Sequence, residues 1–390
     1  MSYFKTFLMT YQSFTQPITL LFKLINRFNI PQDLEKKLGD STVVKIKSKV
    51  VNVMKQWMAS YPEDFDRNMQ FFLGKKKSNS SHFFFNQFLK KGKFILSLNG
   101  TFALNLKRSF VALISGTKEK ILTKHLEKIE YEPLVDLSTI FKENLSFELL
   151  NDEEIARQLT LMAFESFCEV KPTEFLNQAW NSPKLKHKAI NLINLIETFN
   201  KIGNWVVSCI LSKNEVKKRA IVLTKFINIA FHLKEQKCYN VLMAIVAGLN
   251  NSSVSRLNWT FKELKQQKLE TLHSIEQFMS RQQSFKNYRE AIAQVSPPCT
   301  PYIGLLLTDL TFIDENPNNV DNLINWTKRK LIFDAIQKVL QFQDVPYNYL
   351  PVHQIQSFLK NQLDKPFQES ECYRISLLRE PRKAERHEIN

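Results

Sequence analysis

Only 8 of the 390 residues are glycine. A chain so poor in the residue that tolerates positive φ is badly suited to folds made of many tight hairpins, and it lacks the glycine-rich loops that cradle phosphates. Neither a Rossmann nor a P-loop spacing occurs in it. Helix is the favoured alternative. Apolar residues at 44% and aromatics at 12% suffice for a sizeable core, and the length suits two or three domains of roughly 150 residues each.

The periodicity points the same way. Phe7, Leu8 and Tyr11, then Leu20, Leu21, Leu24 and Ile25, recur at helical spacing. Between them, Thr15 is expected to cap and Pro17 to open the second helix. Another helix is predicted over 43–57, and 64–73 reads as a third. Gly74 to Ser81 is a polar connector, and 83–135 has weaker periodicity, read as a helix plus some extended structure. From Asn151 the pattern sharpens, because Asn151-Asp152-Glu153-Glu154 supplies a cap and first-turn acids. Amphipathic segments follow at 188–211, 215–233, 237–250, 261–281, 285–294, 301–314, 319–342 and 351–361, with short connections and no alternating strand. The expected fold is all-α: one large helical domain preceded by a smaller helical one.

Covalent chemistry finds little support. Seven histidines are scattered without metal-ligand spacing, and five cysteines form neither a CxxC pair nor a disulfide framework, which suits a reducing compartment. No nucleophile elbow, HExxH or kinase signature occurs. No cofactor or metal is therefore expected. The N-terminus lacks a basic-then-apolar signal pattern, and the apolar run from Ile303 to Leu310 is far too short to span a bilayer. A cytoplasmic protein is expected. The net charge of +16 predicts attraction to something acidic. Its lysines are dispersed rather than gathered into one stripe, which argues against a nucleic-acid partner.

One segment stands apart. Pro297 to Pro317 reads as an apolar helix bracketed by prolines and ending in Asp314 and Glu315. Carboxylates there add negative charge to the pole that already carries unpaired carbonyls. Such a tip is either an indifferent surface or one that works by repulsion.

Five strings, in order, resemble the catalytic domain of guanine-nucleotide exchange factors for Ras-like small GTPases. They are Glu154 to Leu161 with Phe164 to Phe167; Asn204 to Val207; Ala247 to Leu257; Pro297 to Asn318; and Pro346 to Leu350. Together they span about 150 to 385. Phe7 to Pro17, with Trp57-Met58 and Asp64-Phe65, resembles the companion Ras exchanger motif domain, assigned with its linker to 1–135 and expected to lack its first residues.

The resemblance implies nucleotide exchange without a covalent step. A helical hairpin would open switch I of a Ras-like small GTPase, nucleotide-free or GDP-bound, while switch II is held against the core. Here the arms would be Thr300 to Asp314 and Asn319 to Phe342, joined near Glu315-Asn316-Pro317. Glu315 would act in the phosphate and magnesium site, with Thr311 facing the metal where the family often has a bulky apolar residue. Ile196, Met243, Phe285 and Tyr302 would line an apolar switch II pocket. Asn250 would contact the GTPase, Arg256 would contact it or brace the loop, and Glu197 stands where some members carry a base. Lys328, Arg329 and Lys330 would meet acids on switch I. Without the family, Ile196, Met243 and Phe285 read as core, Asn250 to Ser253 as a helix end and turn, and Lys328 to Lys330 as a solvated face. Competing readings are an inactive helical scaffold that binds a GTPase and a basic nucleic-acid-binding helical protein. The positive charge also suits recruitment to an anionic membrane surface.

Overall fold

The computed structural model describes residues 2–64, 131–135 and 145–389. The helix expected over 64–73, the connector after it and nearly all of 83–135 lie outside the described residues. Two compact units divide the chain, residues 1–125 and 126–390.

In the first unit, helices Ser2–Thr10, Pro17–Phe28, Gln32–Leu38 and Asp40–Ser60 follow one another. Pro17 occupies the first helical turn as expected, but Thr15 does not cap: its N–H donates to the Tyr11 carbonyl at 2.9 Å, closing the preceding turn, and Gln16 takes the cap position. Helix Pro17–Phe28 packs against Asp40–Ser60, burying Leu20, Leu21 and Ile25 on one side and Val50, Val51, Met54 and Trp57 on the other. Sequence-distant motif residues converge on Asp64, which is 3% exposed. Its carboxylate accepts from the Tyr11 hydroxyl at 2.5 Å, from Trp57 Nε1 at 2.7 Å, and from the Gln12 amide.

In the second unit, Asn151 caps helix Asp152–Glu169 as its sequence position predicts, its Oδ1 accepting from the N–H groups of Glu153 and Glu154 at 2.9 and 3.1 Å. Helices Ile190–Leu211, Val216–Glu235 and Tyr239–Leu249 enclose the core with it. Phe147, Trp205 and Phe226 form an aromatic cluster there, with ring centroids 5.0–5.3 Å apart. The closest approach in this core is backbone to backbone. A Cβ built on Gly248 would lie 2.7 Å from the Gly203 carbonyl oxygen and 2.8 Å from Val206 Cβ, so only glycine lets Tyr239–Leu249 cross Ile190–Leu211 at this depth.

Beyond the core come Gln266–Phe278, Lys286–Ile292, Ile303–Asp314, Trp326–Leu340, His353–Leu363 and Glu369–Arg379. Two expectations need correction, and one helix has no counterpart among them. The segment expected over 261–281 is divided into Asn258–Lys262 and Gln266–Phe278, because Lys265 takes an extended conformation with φ −66° and ψ 144°. Glu369–Arg379 was not marked in the sequence, its buried positions being only Cys372, Ile375 and Ser376. The helix expected from 319 begins at Trp326. Before it, Asn319–Val320 pairs antiparallel with Leu323–Ile324, and Asp321 and Asn322 hold φ of 49° and 60° as a two-residue hairpin turn requires.

Two stability outcomes follow. Gly248→Ala is expected to destabilise the second unit by about 1–3 kcal/mol, read as a lowered thermal midpoint, whereas an unchanged midpoint would contradict the close crossing. Asp64→Ala, which strands the buried Tyr11 and Trp57 donors, is expected to cost about 3 kcal/mol in urea unfolding of the first unit.

Candidate functional site

Tyr302 is the residue around which the site is built. It precedes helix Ile303–Asp314, and its N–H donates to the Tyr288 hydroxyl at 2.8 Å. Its ring lies between Phe199, stacked at 5.9 Å, and Phe285, tilted at 5.8 Å. With Ile196, Phe199, Ile303 and Leu307 it lines an apolar cavity of about 170 Å³. Burial pushes its phenol pKa up, partly offset by the nearby Arg281 cation, so the hydroxyl stays protonated at neutral pH. A Cβ at Gly304 would meet the Tyr302 hydroxyl at 2.3 Å, so glycine there makes room for the ring.

Phe285 reaches Tyr302 from a strained stretch. Gln283, Ser284 and Phe285 all have positive φ, at 48°, 55° and 62°. For residues other than glycine this costs roughly 1–2 kcal/mol each. Such strain persists only where the surroundings impose it, and here it sets the Phe285 ring against Tyr302; Phe285 itself lines neither the cavity nor the cleft beside it, so its expected place in the pocket wall is corrected to a contact with the Tyr302 ring.

The single pocket implied by the resemblance is two neighbouring ones. Ile196 and Tyr302 share the apolar cavity, while Met243 and Asn250 line a separate cleft of about 560 Å³ with Val246, Glu276, Met279 and Arg281. Met243 is buried; Asn250 is exposed at the end of Tyr239–Leu249. Burial raises the pKa of the Glu276 carboxyl, opposed by a hydrogen bond from Asn250 and by His273. Glu197 is exposed beside Ile196. Arg256 braces: its guanidinium donates to the Ser376 carbonyl and hydroxyl at 2.8 and 2.9 Å and to the Glu380 carbonyl at 2.6 Å.

Helices Ile303–Asp314 and Trp326–Leu340 pack together as a hairpin, and the turn Pro172–Gln178 packs against both. That turn is fixed by buried Glu174, whose carboxylate accepts from the Leu192 N–H at 3.0 Å and from the Asn191 amide at 2.9 Å. Arg289 clamps the first arm from the other side, donating to both carboxylate oxygens of Asp309 at 2.5 and 2.9 Å. Thr311 is exposed with its hydroxyl donating to the Leu307 carbonyl at 2.8 Å, and Glu315 is exposed where the arm ends.

Lys328 is not a surface charge. It is 3% exposed, and its ammonium donates to the carbonyls of Asp314 and Asn316 at 3.0 and 2.8 Å and lies 3.3 Å from the Asp314 carboxylate. Held among groups of its own hairpin, it has no free face to offer a partner. Arg329 is also buried, with one guanidinium nitrogen on Asn318 Oδ1 at 3.0 Å. Burial lowers its pKa, and Asp314 opposes the shift. Of the three bases, Lys330 alone is exposed. The acid at the negative helix pole is thereby explained for Asp314, which Lys328 neutralises, and Glu315 is left as the open charge at that pole.

Comparison with known sequences decides the family. Residues 154–330 match the RasGEF domain, and residues 1–78 match the RasGEF N-terminal motif. Ras guanine nucleotide exchange factor A of Dictyostelium discoideum is 41% identical over 418 residues, covering all of this chain and 63% of the relative. Factors J and I of the same organism are each 40% identical, covering all of this chain and 47% and 45% of themselves. The chain carries a RasGEF domain behind a RasGEF N-terminal motif. It spans about half to two-thirds of the length of these relatives.

Every expected site residue falls within the RasGEF match, from Ile196 to Lys330. The partners of the Arg256 brace, Ser376 and Glu380, lie past its end but inside the same compact unit. Phe199, Leu307, Glu276 and Arg281 of the RasGEF domain were missed. Phe199 follows Ile196 by three residues and Leu307 follows Ile303 by four, spacings that place each pair on one helix face. No comparable signal marks Glu276 and Arg281, whose neighbours come from another helix.

Among the described residues, no helix is long and apolar enough to cross a membrane. All five cysteines are free thiols.

Lys328→Met is expected to leave Asp314 uncompensated, destabilise the hairpin by about 3 kcal/mol and speed amide hydrogen exchange over 310–316. Lys330→Met should change stability by less than about 0.5 kcal/mol. Equal effects would contradict the assignment of Lys328 as the internal brace.

Proposed function

We propose that this chain accelerates GDP release from a Ras-like small GTPase by holding its nucleotide-free state. The observation that carries the reading is a single rigid helix with two different ends. Ile303–Asp314 has 12 residues and so runs about 18 Å, with the aromatic cavity of Tyr302 at its base and the exposed carboxylate of Glu315 at its tip. An apolar anchor seated at the base would fix switch II. The tip would then stand where the GTPase holds phosphate and magnesium, and a carboxylate there competes with phosphate for the same donors and cation. Thr311, Met243, Asn250 and Lys330 complete the proposed contact surface, and Phe285 supports Tyr302.

Catalysis of this kind is differential binding. The chain needs no bond-making step, only tighter binding of the empty GTPase than of the loaded one, and by linkage every gain in affinity for the empty state weakens nucleotide affinity equally. Rigidity matters for that reason: a hairpin that bends on contact would not transmit its binding energy into the switch. The Asp309–Arg289 clamp and the Lys328 brace supply that stiffness. The same reading places the protein in the cytoplasm, recruited to anionic membrane surfaces by its positive charge.

The test is release of fluorescent GDP from purified Ras-type and Rap-type GTPases. The wild-type chain should accelerate release from at least one of them. Tyr302→Ala should lose roughly thirtyfold, the scale of truncating a buried aromatic anchor worth about 2 kcal/mol, while Glu315→Ala should lower the maximal rate more than the apparent affinity. If no GTPase responds, the exchange reading fails; if Tyr302→Ala matches wild type, the role given to its cavity fails.

A further inference from the structure

Far along the chain from Tyr302 lies a polar cleft that exchange does not use. It has a volume of about 440 Å³ and is lined by Asn258, Trp259, Lys262, Glu380, Arg382 and Lys383, with Arg256 at its edge. Its floor is built of buried, fully committed groups. Arg219, wholly buried, reaches Glu380 at 3.3 Å and Thr260 at 3.0 Å, while the Glu380 carboxylate also accepts from the N–H groups of Trp259 and Thr260 at 2.9 and 3.0 Å. The Thr260 hydroxyl donates to the same carboxylate at 2.6 Å, so Glu380 is neutralised from below, and its four donors leave it no call on the cations above. Arg256 is likewise engaged with Ser376 and the Glu380 carbonyl.

The cations of the rim are different. Lys262, Arg382 and Lys383 are exposed and form no ion pair among the described residues. Lys262 rests its ammonium 4.0 Å above the Trp259 ring, and Arg382 makes a single bond to the Tyr373 hydroxyl at 3.1 Å. Lys383 holds a left-handed φ of 63°, a conformation far easier for glycine, in the short turn Pro381–Ala384 that sets it beside Arg382. Of the nearby acids, Glu263 pairs with Arg386 at 3.2 Å, while Glu385 is exposed and lies 3.4 Å from His387 Nδ1, an ion pair only when that histidine is protonated. Three exposed cations without an ion pair among the described residues therefore line one concave, polar site with a buried, hydrogen-bonded floor.

We propose that this cleft binds the phosphorylated headgroup of an anionic lipid, with Arg382 supplying a fork of donors to the phosphate and Lys262 and Lys383 the flanking charge. A phosphomonoester suits it better than a singly charged headgroup, because it offers nearly two charges and three acceptor oxygens to three cations. The site gives a location to the membrane recruitment read above from net charge, and it rests on that reading while standing apart from exchange. It also accounts for a basic cluster at Arg379-Glu380-Pro381-Arg382-Lys383 that no GTPase contact absorbs.

The experiment is co-sedimentation of the intact chain with vesicles of phosphatidylcholine carrying either phosphatidylinositol bisphosphate or phosphatidylserine at matched surface charge. Arg382→Ala/Lys383→Ala is compared with Lys36→Ala/Lys37→Ala, which removes equal charge from an exposed helix of the first unit. The bisphosphate vesicles should bind more tightly than the serine ones. The cleft variant should lose roughly tenfold to thirtyfold, at about a factor of five per base, and the control less than about twofold. Exchange on a soluble GTPase should be unchanged in both variants. Equal loss in the two variants, or no preference for the phosphomonoester, overturns the cleft and leaves only diffuse attraction. Binding of free inositol trisphosphate without binding of any vesicle overturns the lipid as its source. If wild type binds no anionic vesicle at all, the membrane reading itself falls, and exchange is untouched by that result.

Discussion

The second unit depends on two helices touching backbones. Because Gly248 carries no Cβ, Tyr239–Leu249 can sink against Gly203 and Val206 of Ile190–Leu211. That crossing fixes the relative positions of Ile196 on one helix and Met243 and Asn250 on the other, so two site elements inherit their geometry from one contact. The isolated bridge between Cys238 and Thr300 then ties the start of the inner helix to the residues just before the hairpin. Packing, not local propensity, decides where the site residues stand.

Charge is arranged so that the hairpin is internally balanced except at its tip. A buried lysine beside an aspartate and two carbonyls is costly to assemble and more costly to break, since either group alone would be a charge without solvent or partner. It does relieve the helix pole, and it joins the two arms across the connecting loop. Asn325 reinforces that joint, donating to the Pro317 carbonyl at 2.9 Å and accepting from the Lys328 N–H at 3.1 Å. The whole loop from 315 to 324 is exposed, with Glu315 and Asp321 as its acids and Val320, Leu323 and Ile324 as its apolar side chains. Strain accepted at Gln283, Ser284 and Phe285 serves the other end of the same helix. Stability is given up locally in both places where a partner would make contact.

Much of this was legible in the sequence, for identifiable reasons. Scarce glycine and long 3.6-residue periodicity carry the all-α fold, and Asn151 caps its helix because the capping signal is local. The ordered motif strings carry the family. What stayed hidden depended on tertiary context. Lys328, Arg329 and Lys330 look alike in a line of sequence, yet two are buried and one is not, because the direction each side chain takes depends on the arm it faces. The short ladder at 319–324 was read as helix because Asp321 and Asn322 lack the glycine that usually announces such a turn, although both tolerate positive φ. Division of the expected pocket into a cavity and a cleft depends on Gln266–Phe278 bringing Glu276 alongside Asn250, a contact across 26 positions with no spacing to reveal it.

The central claim is that one helix presents an apolar seat and an acidic tip to the same GTPase. The most direct measurement is a structure of the chain trapped with a nucleotide-free Ras-like GTPase. The account predicts an apolar side chain of switch II in the cavity of Ile196, Phe199 and Tyr302, with Glu315 in the vacated phosphate and magnesium site and Lys328 still on Asp314. A complex in which the GTPase leaves that cavity empty, or lies away from the hairpin, would contradict it.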